Sequence, residues 1–551
     1  MAFERLSRPL RDARILQHEH GLLVVDKPAG IPVHGGDEAL GGDLVTRLAA
    51  WLQARGGDGY VGVHQRLDEG TSGVLLFTTA RERNAEIART QAERELGRRY
   101  VAGVTLRSPR LSQRLERGPL SFEHRLLIEK GRTRVVESGG VEASTEVALR
   151  ERAGERALVA LSPHTGRTHQ LRVELSHEGA PIAGDALYGG DPAPRLLLHA
   201  EALELGQQTW RAPVPAVFSS WLGGGDAVLG AGAELGAALE DAALLRAPLE
   251  PLCDAYRLAN ELGDQLPGVT VDRYGDFAVL AVSSRAAEAR VPELSLGLME
   301  LGARGVYLKI RVKGDARKTG TLENAPETAL AGETAPPRFV VTEHGMKIWV
   351  ELGRGMSTGL FLDQRENRRR VRERAHGARV LNLFSYTSSF GVAAALGGAR
   401  HVTSVDVSRR PLESARENFA LNGLDPARHA FLQRDALAFL ERARRDGERF
   451  DCIVLDPPSF ATSAGGAAFN VVKRYGVLAE HALALLAPGG TLLAVTNHRG
   501  TSLGRLRRTL REAAEKARAH VAQLKDLPSQ LDCPDGPDGP VPSKSVLVTV
   551  A

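Results

Sequence analysis

Short apolar runs separated by Gly and Pro breaks mark the first two hundred residues. Leu22 to Val25, Val74 to Thr78 and Val101 to Val104 are rich in Val and Leu and are each bounded by turn residues. This spacing, continued to about residue 215, predicts strands in an α+β domain built on a mixed or antiparallel sheet. Between Trp221 and Gly236 the text WLGGGDAVLGAGAELG loses its periodicity. Its glycines lower helix and strand preference alike, so a linker is expected over 221–249. Strand-like pieces at Val269 to Val271, Ala278 to Val282, Gly305 to Ile310 and Phe339 to Thr342 predict a small α+β central domain over 250–352. The Thr-, Ala-, Glu- and Pro-rich stretch Lys318 to Pro337 is expected to be a mobile loop within it.

From Val380 the pattern changes. Apolar runs at Val380 to Phe384, Val402 to Asp406, Cys452 to Asp456 and Thr491 to Thr496 alternate with helical stretches around Gly391, over Pro411 to Leu421 and over Val477 to Leu486. Regular βαβα alternation predicts an α/β, doubly wound, Rossmann-like sheet over 353–551, with ligands at the carboxyl ends of its strands. The first domain is expected over 1–220.

Composition supports several ordinary globular domains. The chain has 551 residues, 43% hydrophobic and 25% charged, which excludes a wholly disordered or fibrous protein and exceeds what a single core organises. Cys253, Cys452 and Cys533 lie far apart without a CxxC pair, so neither a disulfide framework nor a structural metal site is expected. The N-terminal text is too charged for a secretory signal, and the uncharged stretch Val380 to Ala399 is broken by Asn, Ser, Thr and Gly, so a cytoplasmic protein without a membrane span is expected. The net charge of +4 suits a polyanionic partner without requiring one. The run Arg365 to Arg374 holds six arginines against two glutamates. It could meet phosphates, but a solvated helix face is the expectation.

Two stretches carry chemistry in the first domain. HQRLDEGTSG, His64 to Gly73, places Asp68 just before an apolar strand, where it either caps its own turn or presents a carboxylate at a strand edge. TGRTHQLRVELSHEGAPIAGDALYG, Thr165 to Gly189, supplies Arg167, His169 and Arg172 ahead of a helix, and an arginine beside Asp68 would pair with it. With LLVVDKPAGIPVH (Leu22 to His34), RRYVAGV (Arg98 to Val104) and RLLLHA, these segments resemble in order the RluA-type pseudouridine synthase family over about residues 10 to 215. The family usually has His directly before Arg-Leu-Asp, whereas Gln65 intervenes here, so His64 receives no role. The resemblance implies that Asp68 is the catalytic carboxylate, Arg172 its ion-pair partner and Tyr100 the ring beside the target base. It further implies that Arg66 is a wedge holding the base out of its helix, that Arg167 contacts RNA, and that no metal or organic cofactor is needed. Asp68 would act as a nucleophile or by deprotonating the sugar.

In the last domain, SYTSSFGVAAALGGA after the first strand is a small-residue loop opening a helix, where backbone amides and the helix dipole can receive an anionic group. Asp406 ends the next strand, at the position where an acid accepts from ribose hydroxyls. Asp435 follows a further strand and could meet an adenine amine. DPPSF, Asp456 to Phe460, closes another strand with a proline-stiffened loop that would present Asp456 and Phe460 to a planar amine or base. With RLANELGDQLPGVTVDRYGD and TGLFLDQRENR, these features resemble class I methyltransferases of the RlmI and RlmK type, acting on large-subunit ribosomal RNA, over about residues 250 to 551. The resemblance implies S-adenosylmethionine as cofactor, with Phe384, Ser385, Tyr386, Thr387, Gln364, Asp406, Asp435 and Asp456 around it. It also implies an RNA-binding central domain and contact of Phe460 with RNA. The cytosine-C5 branch carries a cysteine just after the fifth strand. Here the text is VTNHRG, with Asn497 and His498, closer to the branch that methylates guanine N7, in which Asn497 would hydrogen-bond the base.

The sequence therefore predicts a bifunctional RNA-modifying enzyme acting on 23S ribosomal RNA or an assembly intermediate. Two other readings stay open: a catalytically reduced RNA-binding assembly factor, and a methyltransferase acting on a small molecule or a protein.

Overall fold

A strand covered on both faces reads as a continuous apolar run, because both of its alternating sets of side chains must be buried. The strands Leu22–Lys27 and Ser72–Thr78 show this directly. Leu23, Val25, Leu75 and Phe77 join a core with Leu48 and Trp51. The alternate residues Leu22, Val24, Val74 and Leu76 join a separate cluster with Ile87 and Trp210. In the computed structural model of the chain, which describes all residues except 1–9, 11, 35–42, 94, 130–131, 225–231, 313–323, 459, 463–467, 499 and 535–542, these strands belong to an 11-stranded sheet. Its main path runs Ile15–Glu19, Leu22–Lys27, Ser72–Thr78, Leu198–Leu205, Leu96–Thr105, Arg156–Pro163, Val141–Ala153, Leu120–Glu129 and Arg132–Val136. Leu198–Leu205 runs parallel to Ser72–Thr78 and the other pairings on this path are antiparallel, so the sheet is mixed as expected.

Contacts divide the chain into two compact units. The first comprises Met1–Pro248, Glu261–Val269 and Ala289–Gly302; the second comprises Leu249–Asn260, Thr270–Glu288 and Ala303–Ala551. Part of the expected linker is a helix, Ala233–Arg246. The sequence AELGAALEDAALLR is dominated by strong helix formers, and the glycines that suggested a linker concentrate ahead of it. Arg246 at its end is fully buried and donates from both terminal nitrogens to Asp264 at 2.6 and 2.6 Å.

In the expected central region the strands Ala255–Asn260, Val269–Tyr274, Phe277–Val282, Gly305–Ile310 and Ala331–Gly332 form a 5-stranded sheet in sequence order. A hairpin of Phe339–Glu343 and Met346–Val350 follows. Of the stretch expected to be mobile, residues 318–323 lie outside the described ones. The remainder is anchored: Leu330 N–H donates to Val306 at 2.7 Å, Ala335 N–H donates to the Tyr307 hydroxyl at 3.0 Å, and Ala325 and Ala335 are buried.

The alternating segment folds as predicted into a 7-stranded sheet in the order Ala430–Gln433, His401–Asp406, Arg379–Leu383, Phe450–Leu455, Leu486–Thr496, Lys544–Val550, Val521–Leu527. The first five are mutually parallel, and the last two form an antiparallel edge. The chain starts this sheet in the middle and winds both ways, which places a crevice at the carboxyl ends beside Arg379–Leu383.

The arginine run forms the helix Arg365–Arg374, but not as a solvated face. Arg365 and Arg368 are only 1% exposed and pair with Asp532 at 2.6 Å and with Glu343 at 2.5 Å. Arg369 and Arg374 remain outside. Helical spacing sends alternate members of one charged run in opposite directions, which composition does not reveal. No described helix is long and apolar enough to cross a membrane, and no metal-binding group of His, Cys, Asp or Glu occurs among the described residues.

Two candidate active sites

In the first unit, the turn before Ser72–Thr78 is closed by Thr71 N–H donating to the Asp68 carbonyl at 3.0 Å. Gly73 follows with φ +114, and a Cβ there would lie 2.2 Å from the Ala200 carbonyl oxygen. Only glycine lets the neighbouring strand come this close. Lys27, fully buried, donates to the carbonyls of Pro28, Ile31 and Glu69 at 3.0, 2.7 and 3.1 Å, tying the loop after its strand to the residue following Asp68. Burial, helped by the nearby Arg195 charge, pushes its ammonium down to about 7.

The helix Gln170–His177 delivers Arg172 from its first turn, with His169 before it in the left-handed region at φ 54. Arg172 donates to Asp68 at 3.0 Å through Nη1, and to Asp185 through Nε and Nη2 at 2.7 and 2.8 Å. Asp185 is 1% exposed, so the guanidinium is held by a buried carboxylate on one side while its remaining edge meets Asp68. The Asp68 carboxylate stays partly open, facing a cleft of about 600 Å³ lined also by Arg66, Arg98, Tyr100, Arg167 and His169. Tyr100 is buried on the strand Leu96–Thr105, and burial pushes its hydroxyl pKa up. Arg66 is exposed at the rim, and Arg167 is pinned by its Nε–H to the Glu142 carbonyl at 3.1 Å. The cleft thus unites Asp68, Tyr100, Arg172, Arg66 and Arg167, the five residues singled out in this half. Sequence reasoning gave no role to Lys27 or Asp185. A lysine ending a strand that opens with the apolar run Leu22 to Val25 was the available signal for the first, because such a charge must find partners when buried.

In the second unit, strand register brings the expected residues together. Leu383 pairs with Val405 on one side and Leu455 on the other, and Leu455 pairs with Ala494. Phe384, Asp406, Asp456 and Asn497 therefore leave the sheet at the same end. The loop after Arg379–Leu383 alternates through the left-handed region at Phe384, Tyr386 and Ser388, with φ 55, 50 and 58. Three such residues in five are costly for side-chain-bearing positions and persist where the surroundings impose them. Asp406 imposes part of it: its two oxygens accept from Tyr386 N–H at 2.9 Å and Ser408 N–H at 2.8 Å. Thr387 donates its hydroxyl to the Gly359 carbonyl at 2.6 Å, while the Ser385 hydroxyl is buried without a hydrogen-bond partner.

Asp456 follows Phe450–Leu455, and burial together with the nearby Asp363 carboxylate pushes it up to about 7. Asn497 is exposed directly after Leu486–Thr496. Asp435 is exposed and caps the helix Ala436–Arg445, accepting from Ala438 N–H at 3.0 Å, which leaves its other oxygen for a ligand. Gln364 departs from expectation. It is 2% exposed, and its amide is engaged by Asp363, Ser543 and Asn367, so it braces the wall rather than presenting a group to a cofactor. Phe460 begins the short strand Phe460–Thr462, but its side chain lies outside the described residues. Cys253, Cys452 and Cys533 are all buried. Burial pushes the thiol of Cys253 up to about 12 and that of Cys452 up to about 11, and raises Cys533 well beyond the ordinary range.

Residues 21–177 match the family model of RNA pseudouridylate synthases, and residues 323–538 match that of S-adenosylmethionine-dependent methyltransferases. The ribosomal RNA large subunit methyltransferase I of Erwinia tasmaniensis is 36% identical over 282 residues, covering 51% of this chain and 70% of that protein. Its namesake from Klebsiella pneumoniae is 41% identical over 241 residues, covering 44% of this chain and 59% of that protein. A crystal structure of a methyltransferase of SAH-bound form is similar with a TM-score of 0.51 and 31% identity, covering 57% of this chain and 80% of that one. Fold and sites thus define a chain that joins a pseudouridine synthase domain to an S-adenosylmethionine-dependent methyltransferase domain. By the latter part of its length, the chain belongs to the ribosomal RNA large subunit methyltransferase I family.

Proposed function

We propose that the chain modifies ribosomal RNA twice, isomerising a uridine in the first unit and methylating a base, guanine at N7, in the second. The observation that carries the first activity is the Asp68–Arg172–Asp185 chain facing an arginine-lined cleft. A uridine must leave its stack to enter, at a cost of a few kcal/mol. Arg66 at the rim occupies the vacated stack, Arg167 meets the backbone, and Tyr100 packs beside the uracil. Isomerisation breaks the C1′–N1 bond, forms C1′–C5, and moves the C5 proton to the solvent while N1 gains one. Asp68 serves this exchange as a nucleophile on the ring or sugar, or as the base that deprotonates the sugar. Arg172 fixes its orientation in either route.

In the second unit the crevice fits S-adenosylmethionine: a buried, unpartnered Ser385 hydroxyl, unused lone pairs on Asp406 and a free oxygen on Asp435 lie at or beside the carboxyl end. When bound, that cofactor supplies a sulfonium methyl. Asp406 and Asp435 hold the ribose and adenine, the Phe384 to Thr387 loop holds the remainder, and Gln364 supports the wall. Asp456 accepts from an amine on the base edge, and Asn497 hydrogen-bonds the base. Buried thiols with raised pKa values do not serve the covalent route that cytosine C5 requires, whereas guanine N7 needs only positioning of its lone pair. Cytosine C5 remains the competing target, since the relatives' names do not specify the base.

The test is nucleoside mapping of 23S ribosomal RNA, by mass spectrometry, from cells lacking the protein and complemented with wild type, Asp68→Ala or Asp456→Ala. Loss of one pseudouridine with Asp68→Ala and one 7-methylguanosine with Asp456→Ala is expected. Loss of a 5-methylcytidine instead moves the target to cytosine, and no change in either mark overturns the proposal.

A further inference from the structure

The cleft around Asp68 is only one lobe of a longer trough. A second cavity, of about 610 Å³, adjoins it in the same unit and shares Gln91, Arg98, Pro163, Thr165, Gly166 and Arg167 with the first. Each lobe is large enough for a nucleotide, and the shared residues form the passage between them. The far lobe adds Arg99, Ser162, His164 and Glu204. Its one carboxylate among the described residues, Glu204, is neutralised by an ion pair with Arg99.

Two guanidinium groups line both lobes, and neither has a carboxylate partner among the described residues. Arg167 holds only the Glu142 carbonyl. Arg98 lies against the Tyr100 hydroxyl, and its Nε–H is buried without a hydrogen-bond partner. Gly166 makes room for it: a Cβ at 166 would stand 3.2 Å from both terminal nitrogens of Arg98. Several other arginines of this unit are paired with an acid, as Arg14, Arg107, Arg150 and Arg172 are. Unpaired cations between two nucleotide-sized lobes suit an anion located between two nucleosides, which is a phosphodiester.

We propose that the second lobe is a binding site for the nucleotide adjacent to the target uridine, with Arg98 and Arg167 clamping the phosphodiester that joins the two. The proposal rests on the reading of the Asp68 cleft as a pseudouridine synthase site and extends it: the enzyme recognises a splayed dinucleotide rather than one flipped base. Exposed His164, which lines the second lobe only, faces the neighbouring base. Single-stranded and loop RNA supplies such unstacked neighbours, and stacking of a base on an aromatic side chain contributes without strict sequence preference.

The experiment uses the full chain and a ribosomal RNA fragment carrying the mapped uridine, synthesised with one phosphate at a time replaced by a neutral methylphosphonate. Pseudouridine formation is followed as kcat/KM for wild type, Arg98→Gln and His164→Ala. Wild type is expected to lose roughly tenfold at a single linkage flanking the uridine, and Arg98→Gln to show no further loss there, because the charge pair is already broken. His164→Ala is expected to lower kcat/KM for the intact fragment and to leave it unchanged when the neighbouring nucleotide is abasic. If wild type forms pseudouridine but the Arg98 and phosphate effects simply add at every linkage, the second lobe is not a nucleotide site, while the cleft assignment survives. If wild type forms no pseudouridine on any fragment, the cleft assignment falls and takes this one with it.

Discussion

Asp68 in the first unit meets a guanidinium at 3.0 Å, whereas Asp456 in the second has another carboxylate, Asp363, nearby and is pushed up to about 7 by burial and that neighbour. The same side chain is thus placed in opposite electrostatic company. The first site contains its own countercharge, and that countercharge is itself fixed by a buried acid, Asp185. The second gathers Asp406 and Asp456 at the end of a parallel sheet, and Asp456 has the more distant Arg368 as its cationic neighbour rather than a guanidinium in direct contact. A site that binds an anionic polymer and uses no cation of its substrate must supply the cation. A site for a sulfonium can leave that charge to the ligand.

Four measurements break or sharpen this contrast. The largest effect is expected from Asp68→Ala, which should reduce pseudouridine formation by at least about 10² to 10⁴-fold while methylation of the same RNA continues. Quantifying both nucleosides from one digest checks it, and a parallel loss of methylation would show that the sites are not separable. Next, Arg172→Met should destabilise the first unit by about 3–5 kcal/mol in denaturant melts, because Asp185 would be left buried and unpaired. Arg172→Met combined with Asp185→Leu should recover much of that stability and none of the activity.

The third concerns pH. The Asp456 carboxyl, raised to about 7, is neutral below that pH and ionised above it. If the ionised form orients the base, methyl transfer should rise about tenfold per pH unit below 7 and level off above it, and Asp456→Asn should remove the inflection. Pseudouridine formation by the same preparation should lack that Asp456-dependent step. The smallest effect is expected from Asp435→Ala, which removes a helix cap and should cost about 1 kcal/mol, with a weakened affinity for the cofactor measured by calorimetry. An unchanged affinity would leave Asp435 as a cap alone.

Legibility in the sequence followed physical scale. Periodicity over many residues was readable, so the alternation from Val380 to Thr496 gave the parallel sheet, and HQRLDEGTSG gave the position of Asp68. Pairings between distant residues were not. Nothing near Arg365 or Arg368 in the sequence points to Asp532 or Glu343, so a run that looked solvated is partly interior. Gln364 fell beside the cofactor segment in the sequence, yet its amide turns to Ser543 and Asn367. Lys27 shows the same limit, since its three carbonyl partners include one 42 residues away. The glycines before Gly232 outweighed the helix-forming residues after it, and a window straddling both hid the helix Ala233–Arg246.

The interleaving of the two units along the chain bears on inheritance. Segments Glu261–Val269 and Ala289–Gly302 belong to the first unit although they follow the start of the second. A gene break near residue 249 would put Arg246 and Asp264 on separate polypeptides and strand a buried charge on each. A division of the chain at that one point therefore cuts through the first unit, so the two units do not follow one another end to end along the sequence.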